Sequence, residues 1–143
     1  MIYMDIIDVF LISITPMEAW VSVPAGIVAG INPVTVILIS SIGNLLPVFL
    51  FYGMIDAIKR FKRISRYLEH AHEKTERYVA KYGGIGIILA TPLLGGYCTE
   101  IGVALLGISL YRAILPLFIG ILLKCTIIAW MTCSGIEVWK YLV

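Results

Sequence analysis

Thr91-Pro92-Leu93-Leu94-Gly95-Gly96 interrupts an apolar stretch that runs from Gly83 to Leu110. As one helix those 28 residues would extend roughly 42 Å, too long for ~30 Å of hydrocarbon without strong tilt. Proline removes a backbone donor and glycine frees the chain to reverse. The stretch therefore divides into two arms, Gly83 to Pro92 and Tyr97 to Leu110, about 15 and 21 Å long. Each arm reaches only partway across a bilayer, which is the geometry of a re-entrant hairpin. Irregular backbone at that depth survives only where protein or a water-filled cavity surrounds it. An earlier apolar stretch, Val9 to Ile31, is broken in the same way by Thr15-Pro16, and the same reasoning predicts a second hairpin. A proline-kinked single span is the alternative in both places.

Two further stretches, Val34 to Ile55 and Ala113 to Ser134, are uninterrupted and 22 residues long, about 33 Å as helices, enough to cross a membrane. Composition agrees. Of 143 residues, 60% are apolar and 14% charged, against roughly 45–50% and about 25% in soluble domains. These values exclude a soluble globular domain, a disordered tail, a collagen and a disulfide scaffold, and they predict a multi-pass protein of the cell membrane. Cys98, Cys125 and Cys133 all lie in apolar stretches and lack the paired spacings of metal or redox sites, so they read as packing residues. The first charges are Asp5 and Asp8, with no basic segment before the first apolar run, and that run is expected to be retained.

Eight of the eleven Lys and Arg residues fall between Lys59 and Lys81. Within Ala57 to Tyr82, apolar and aromatic residues such as Ile58, Phe61, Ile64 and Leu68 recur at three- or four-residue spacing opposite the basic ones, predicting an amphipathic helix on the membrane surface. Lys59, Arg60, Lys62, Arg63 and Arg66 attract anionic lipid and place this segment in the cytoplasm. Because the basic residues are local to one segment, nucleic acid is not an expected partner. Arg112 joins the cytoplasmic side if each half is a hairpin plus one crossing, and lies outside if there are four full spans.

Sliding the chain on itself by 76 to 77 positions aligns Thr15-Pro16 with Thr91-Pro92, Gly26 with Gly102, Gly30-Ile31 with Gly107-Ile108, and Ile42-Gly43 with Ile119-Gly120. One span separates corresponding points, so the two units must be oppositely oriented. The expected fold is an all-α integral membrane protein, an inverted repeat of re-entrant helical hairpin plus transmembrane helix. Repeat 1 is residues 1–56, the amphipathic cytoplasmic linker helix 57–82, and repeat 2 residues 83–143. Such architectures hold a shared site near the midplane where broken helices meet, as transporters do.

The run Glu18-Ala19-Trp20-Val21-Ser22-Val23-Pro24-Ala25-Gly26-Ile27, followed by Gly43-Asn44-Leu45-Leu46-Pro47, resembles the archaeal and bacterial family of small multidrug export proteins, whose usual pattern is E-L-R-G-A-I-P and then G-N-x-x-P. Lys81-Tyr82-Gly83, Thr91-Pro92 and Ala104-Leu105-Leu106-Gly107-Ile108 to Arg112 are similar to the same family, so the likeness covers nearly the whole chain. That family looks like a relative of the DedA and VTT membrane proteins, and the resemblance implies two inward-facing re-entrant hairpins and transport of lipids such as polyprenyl phosphate carriers. One departure is Trp20, which stands where the family has arginine.

Glu18 and Glu100 each follow a break, at the start of a second arm. An acidic residue at membrane depth costs ~2.5–3.5 kcal/mol on insertion scales, so both are candidates to carry a proton or to partner a cation, with a structural bond to nearby amides as the alternative. The broken tips, Thr15-Pro16 and Thr91-Pro92 with Gly95 and Gly96, are candidate anion sites: a helix start offers amide donors, and Tyr97 and Thr99 can add hydroxyls. A plain chain reversal uses the same glycines. Lys124, deep in the last span, is expected to face inward and pair with Glu18 or Glu100, or else to snorkel. Asn44, beside Gly43 and Pro47, reads chiefly as a helix-packing amide. His70 and His72 are two apart on a helix and cannot share an ion, so no metal and no cofactor are expected. No serine or cysteine in the apolar parts has a base partner, so an enzyme is not expected.

These features lead to a carrier of a lipid-linked anion or another amphiphilic solute, coupled to protons through Glu18 or Glu100. A proton-driven exporter of hydrophobic cations and a non-transporting membrane scaffold are the other hypotheses. Expected partners are membrane lipids, an amphiphilic or lipid-linked substrate, and a second copy of the chain in a homodimer that encloses a cavity.

Overall fold

The computed structural model describes residues 4–15, 18–60, 73, 75–77 and 79–142; the side chains of Glu18 and of residues 56–60 and 138–142 are outside that description. Among the described residues all regular structure is helical. The order is α1 (Ile6–Ile14), α2 (Glu18–Val28), α3 (Pro33–Arg60), α4 (Gly84–Leu94), α5 (Gly96–Leu105) and α6 (Leu110–Leu142). Two short helices and one long helix thus occur twice. The chain forms two compact units, Met1–Asn44 with Leu122–Val143, and Leu45–Ile121; both long helices contribute to each.

In the first unit, α1 opens with the Asp5 N–H donating to the Asp8 carboxylate at 2.9 Å, the return half of a capping box. It closes at Thr15, whose φ of −76° and ψ of 162° are extended, as steric conflict with the following proline ring demands. Helix α2 packs against α1, and the fold-back is tight: a Cβ on Gly26 would lie 3.0 Å from Val9 and 2.9 Å from Val36 of α3. Gly30, at φ +89°, stops α2. Its N–H bonds the Ile27 carbonyl at 3.0 Å and the Ile31 N–H bonds the Gly26 carbonyl at 3.1 Å, a Schellman motif that only a residue at ease with positive φ completes without strain. Asn32 then caps α3 by accepting the Val34 N–H at 2.9 Å, with Pro33 at the first helical position where its missing N–H costs nothing.

In the second unit the break lies within the predicted Thr91–Gly96 interruption but is narrower than it. Helix α4 runs through Pro92 to Leu94, and the interruption is the single residue Gly95, at φ +95° and ψ 152°. A proline within a helix lacks its own bond, here to the Ile88 carbonyl, and crowds that carbonyl, yet its φ stays helical, whereas the backbone of Gly95 leaves the helical region altogether. The second arm starts at Gly96 and ends at Leu105 rather than Leu110, where Gly107 at φ +71° bonds the Ala104 carbonyl at 3.2 Å. Arms of 11 and 10 residues are roughly 16 and 15 Å long, and the two pack on each other. Val48, Ile87, Val103, Ala113 and Leu117 form the core of this unit. The Tyr52 hydroxyl ties α3 to the turn after α5 by donating to the Ile108 carbonyl at 2.7 Å.

Helices α3 and α6 contain the predicted spans and exceed them. Their apolar portions are Pro33–Ile55, 23 residues, and Leu110–Glu137, 28 residues, each with mean hydropathy 2.2, or about 35 and 42 Å. Exposed apolar residues recur along them every four positions: Val34, Leu38, Ile42, Leu46 and Leu50 on α3, and Tyr111, Leu115, Ile119, Leu123 and Ile127 on α6. Continuous apolar stripes of this length suit contact with hydrocarbon. The expected separate linker helix begins inside α3, which continues to Arg60. Residues 75–77 and 79–82 are helical, while Lys62, Arg63, Arg66, His70 and His72 lie outside the described residues.

Candidate functional site

Glu100 occupies the second turn of α5, five residues beyond the break at Gly95. Its side chain is 0% exposed, and neither carboxylate oxygen has a hydrogen-bond partner among the described residues. The turn before it is held by its own backbone: Gly95 accepts both the Thr99 N–H at 3.1 Å and the Thr99 hydroxyl at 2.9 Å. Tyr97, three residues before Glu100, meets Phe51 of α3 edge to face, with ring centroids 5.6 Å apart and 76° between planes. Gly95, Tyr97, Thr99 and Glu100 thus share one end of one short helix.

The other predicted tip residues turn inward on their own helices. The Thr91 hydroxyl donates to the Ile87 carbonyl at 2.8 Å, and that of Thr15 to Ile12 at 2.6 Å; with Thr99, all three hydroxyl protons are engaged locally. Thr91 also seats α4 on α6, for a Cβ on Gly120 would stand 2.7 Å from its Cβ. Pro92 lies inside α4, Gly96 is the buried first residue of α5, and Pro16 is outside the described residues. Glu18 opens α2, its side chain undescribed. Arg112 is exposed in the first turn of α6, and Lys59 and Arg60 belong to the last turn of α3.

Lys124 is 2% exposed, on the part of α6 that belongs to the first unit, next to buried Cys125, whose thiol shares a hydrogen bond with Ser41. Asn44 is 1% exposed; its amide donates to the Ser40 carbonyl at 2.7 Å, and its Oδ1 has no partner among the described residues. Sequence reading missed the polar seam around it. Buried Ser22 and Ser40 hydroxyls meet at 3.0 Å, and Ser41 bonds the Ile37 carbonyl at 2.7 Å. The spacing of Ser40 and Asn44, four apart and so on one helix face, could have found half of it; nothing in the sequence points to Ser22. Phe51 and Tyr97 were also invisible as a pair, being far apart in the chain. No group of His, Cys, Asp or Glu able to hold a metal occurs among the described residues.

Residues 18–127, from the start of α2 to beyond Lys124, match the family model described as "Putative small multi-drug export protein". The chain belongs to that family. Membership, with two long apolar helices, makes this a membrane protein of an export family, and the matched region takes in Glu100, Lys124, Asn44 and both glycine stops. No curated protein matches the chain, and no solved structure does.

Proposed function

We propose that the protein exports amphiphilic cations across the cell membrane, with Glu100 as the group that exchanges a proton for cargo. The observation that carries this is the carboxylate itself, fully buried and unpartnered among the described residues. An isolated carboxylate in such a place costs several kcal/mol, so it holds a proton when empty and is matched by a positive charge when loaded. This cation reading was second to a lipid-linked anion in the sequence. The structure supports the change of order because three of the four hydroxyls expected to hold an anion with Tyr97, those of Thr15, Thr91 and Thr99, donate to carbonyls of their own helices or of the break between them.

A lipid-linked anion, as the likeness to DedA and VTT proteins implies, keeps one supporting observation: Lys124 is a buried cation in the apolar part of α6. Glu18 belongs with Glu100 as a second coupling candidate. The proposal has the two short-helix pairs re-entrant and the two halves an inverted repeat. Its support is a shift of 77 positions that relates Gly30 to Gly107, Asn32 to Ser109 and Gly43 to Gly120 in the same local roles. A homodimer that closes the cavity around the site, and a transport rather than an enzymatic role, complete the reading.

The test is proton release. Adding tetraphenylphosphonium to the detergent-solubilised protein in weak buffer should release protons in proportion to protein, and Glu100→Gln should abolish both release and cation flux in vesicles while leaving the protein monodisperse. Unchanged release and flux in Glu100→Gln remove the residue from the mechanism. Flux of a phospholipid or polyprenyl phosphate without any proton response to the cation restores the anionic reading.

A further inference from the structure

Beside the buried carboxylate stands an aromatic pair with no part in the packing of the main core. Phe51 reaches across from α3 to lie edge to face with Tyr97, and packs with Cys98 and Leu105 against Ile101. Both rings are only half-buried. At ~100° per residue Glu100 stands about 60° round the helix from Tyr97. Tyr97 and Ile101 thus face Phe51, and Glu100, between them in sequence, is the fully buried acid of the same turn.

The chemistry of this ring pair selects among cations. A compact ammonium or a metal ion must replace a full shell of water oxygens. Thr99 and Thr91 turn their protons to Gly95 and Ile87, and the few hydroxyl oxygens left to accept fall short of such a shell. A quaternary or charge-delocalised organic cation carries its own apolar shell and needs no such oxygens. It is attracted by the electron-rich faces of aromatic rings, and an edge-to-face pair leaves ring faces uncovered. Resting on the reading of Glu100 above, we infer that Phe51 and Tyr97 are the specificity-determining residues of the Glu100 site and that it takes quaternary or charge-delocalised organic cations over compact ammonium ions.

The test measures tetraphenylphosphonium and methylammonium binding to the purified full-length protein by calorimetry. The wild type should prefer tetraphenylphosphonium. Phe51→Leu and Tyr97→Leu should each weaken that binding roughly thirtyfold, the loss of one desolvated cation–π contact at ~1.4 kcal/mol per decade, while Tyr97→Phe stays within about threefold because the ring is kept. Fluorinated phenylalanine introduced at position 51 preserves shape and folding, and affinity should fall stepwise with each fluorine. A flat fluorine series, or folded leucine variants that bind as the wild type does, overturns the aromatic assignment. If Glu100→Gln abolishes binding and proton release while the ring variants change nothing, only this inference falls; if Glu100→Gln also binds normally, the function proposed for Glu100 falls with it.

Discussion

Alanine at Gly120 and at Gly43 should both destabilise the protein, but only one of the two should be rescued by trimming its neighbour. At Gly120 the new methyl stands 2.7 Å from both Cβ and Oγ1 of Thr91 and 3.0 Å from the Ile88 carbonyl oxygen. Carbon atoms rest ~3.5–4.0 Å apart, so α4 and α6 must separate by about 1 Å. Overpacking of this kind costs ~1–3 kcal/mol, against ~0.5–1 kcal/mol gained by placing alanine in a helix, which leaves a net loss on the order of 1–2 kcal/mol. At Gly43 the methyl overlaps the Ser13 hydroxyl, with the Ser13 Cβ at 3.0 Å and the Phe10 carbonyl at 3.1 Å. Ser13→Ala removes the overlapping oxygen, and what remains yields to a shift of a few tenths of an ångström. Thr91→Ala leaves its offending Cβ in place. Double-mutant cycles, read by urea titration of the purified protein in detergent, should give a favourable coupling of about 1 kcal/mol or more for Gly43→Ala with Ser13→Ala, and within ~0.5 kcal/mol of zero for Gly120→Ala with Thr91→Ala. Equal coupling in the two cycles would refute the geometry assigned to these joints.

Gly30→Ala and Gly107→Ala should each cost ~1–2 kcal/mol, because both positions have positive φ that an L side chain resists, whereas Gly53→Ala and Gly135→Ala, with nothing within 4 Å, should be neutral or mildly stabilising; thermal unfolding of the four variants side by side checks the contrast. Tyr52→Phe loses the bond to the Ile108 carbonyl and should cost ~0.5–1.5 kcal/mol, read in the same assay as a lower midpoint with folding retained. Single cysteines at Lys81 and Arg112 should be labelled by a membrane-impermeant maleimide from the same side of sealed vesicles, since α4 and α5 at roughly 16 and 15 Å each fall short of ~30 Å of hydrocarbon, and a C-terminal tag should lie on the opposite side; labelling of the two cysteines from opposite sides would exclude re-entrance.

Most of this organisation is legible in the sequence where the signal is local. Helix α3 begins at Pro33 and α6 at Leu110, within a few residues of the apolar boundaries, because a long apolar run has one economical conformation in lipid. Thr15 ends α1 because a proline follows it. The break in the second half is narrower than read because proline and glycine were taken as one breaker, although the helix continues through Pro92 and only Gly95 takes a positive φ. The site divided the same way. Glu100 is conspicuous as an acid in an apolar run, but its lack of partners is a property of its surroundings, and Phe51 with Tyr97, or Ser22 with Ser40, come together only through tertiary packing that no spacing records.

Packing among these helices also has a physical reason to rely on small and hydroxyl-bearing residues. Lipid tails are as apolar as leucine, so in a bilayer the hydrophobic effect does not press helices together, and close approach with hydrogen bonding must do so. The described contacts follow that rule in both units. Gly43 brings α3 onto the Ser13 hydroxyl and the Phe10 carbonyl, and Gly120 brings α6 onto Thr91 and the Ile88 carbonyl. The second joint falls beside Pro92: the proline lacks the N–H that would bond the Ile88 carbonyl, and Gly120 is where α6 comes close to that same carbonyl. Proline and glycine here are complementary halves of one joint on two different helices. A residue larger than glycine at position 120 would therefore press on two things together, the Thr91 side chain and the Ile88 carbonyl. This is why the loss there should resist any change at Thr91 short of removing its Cβ.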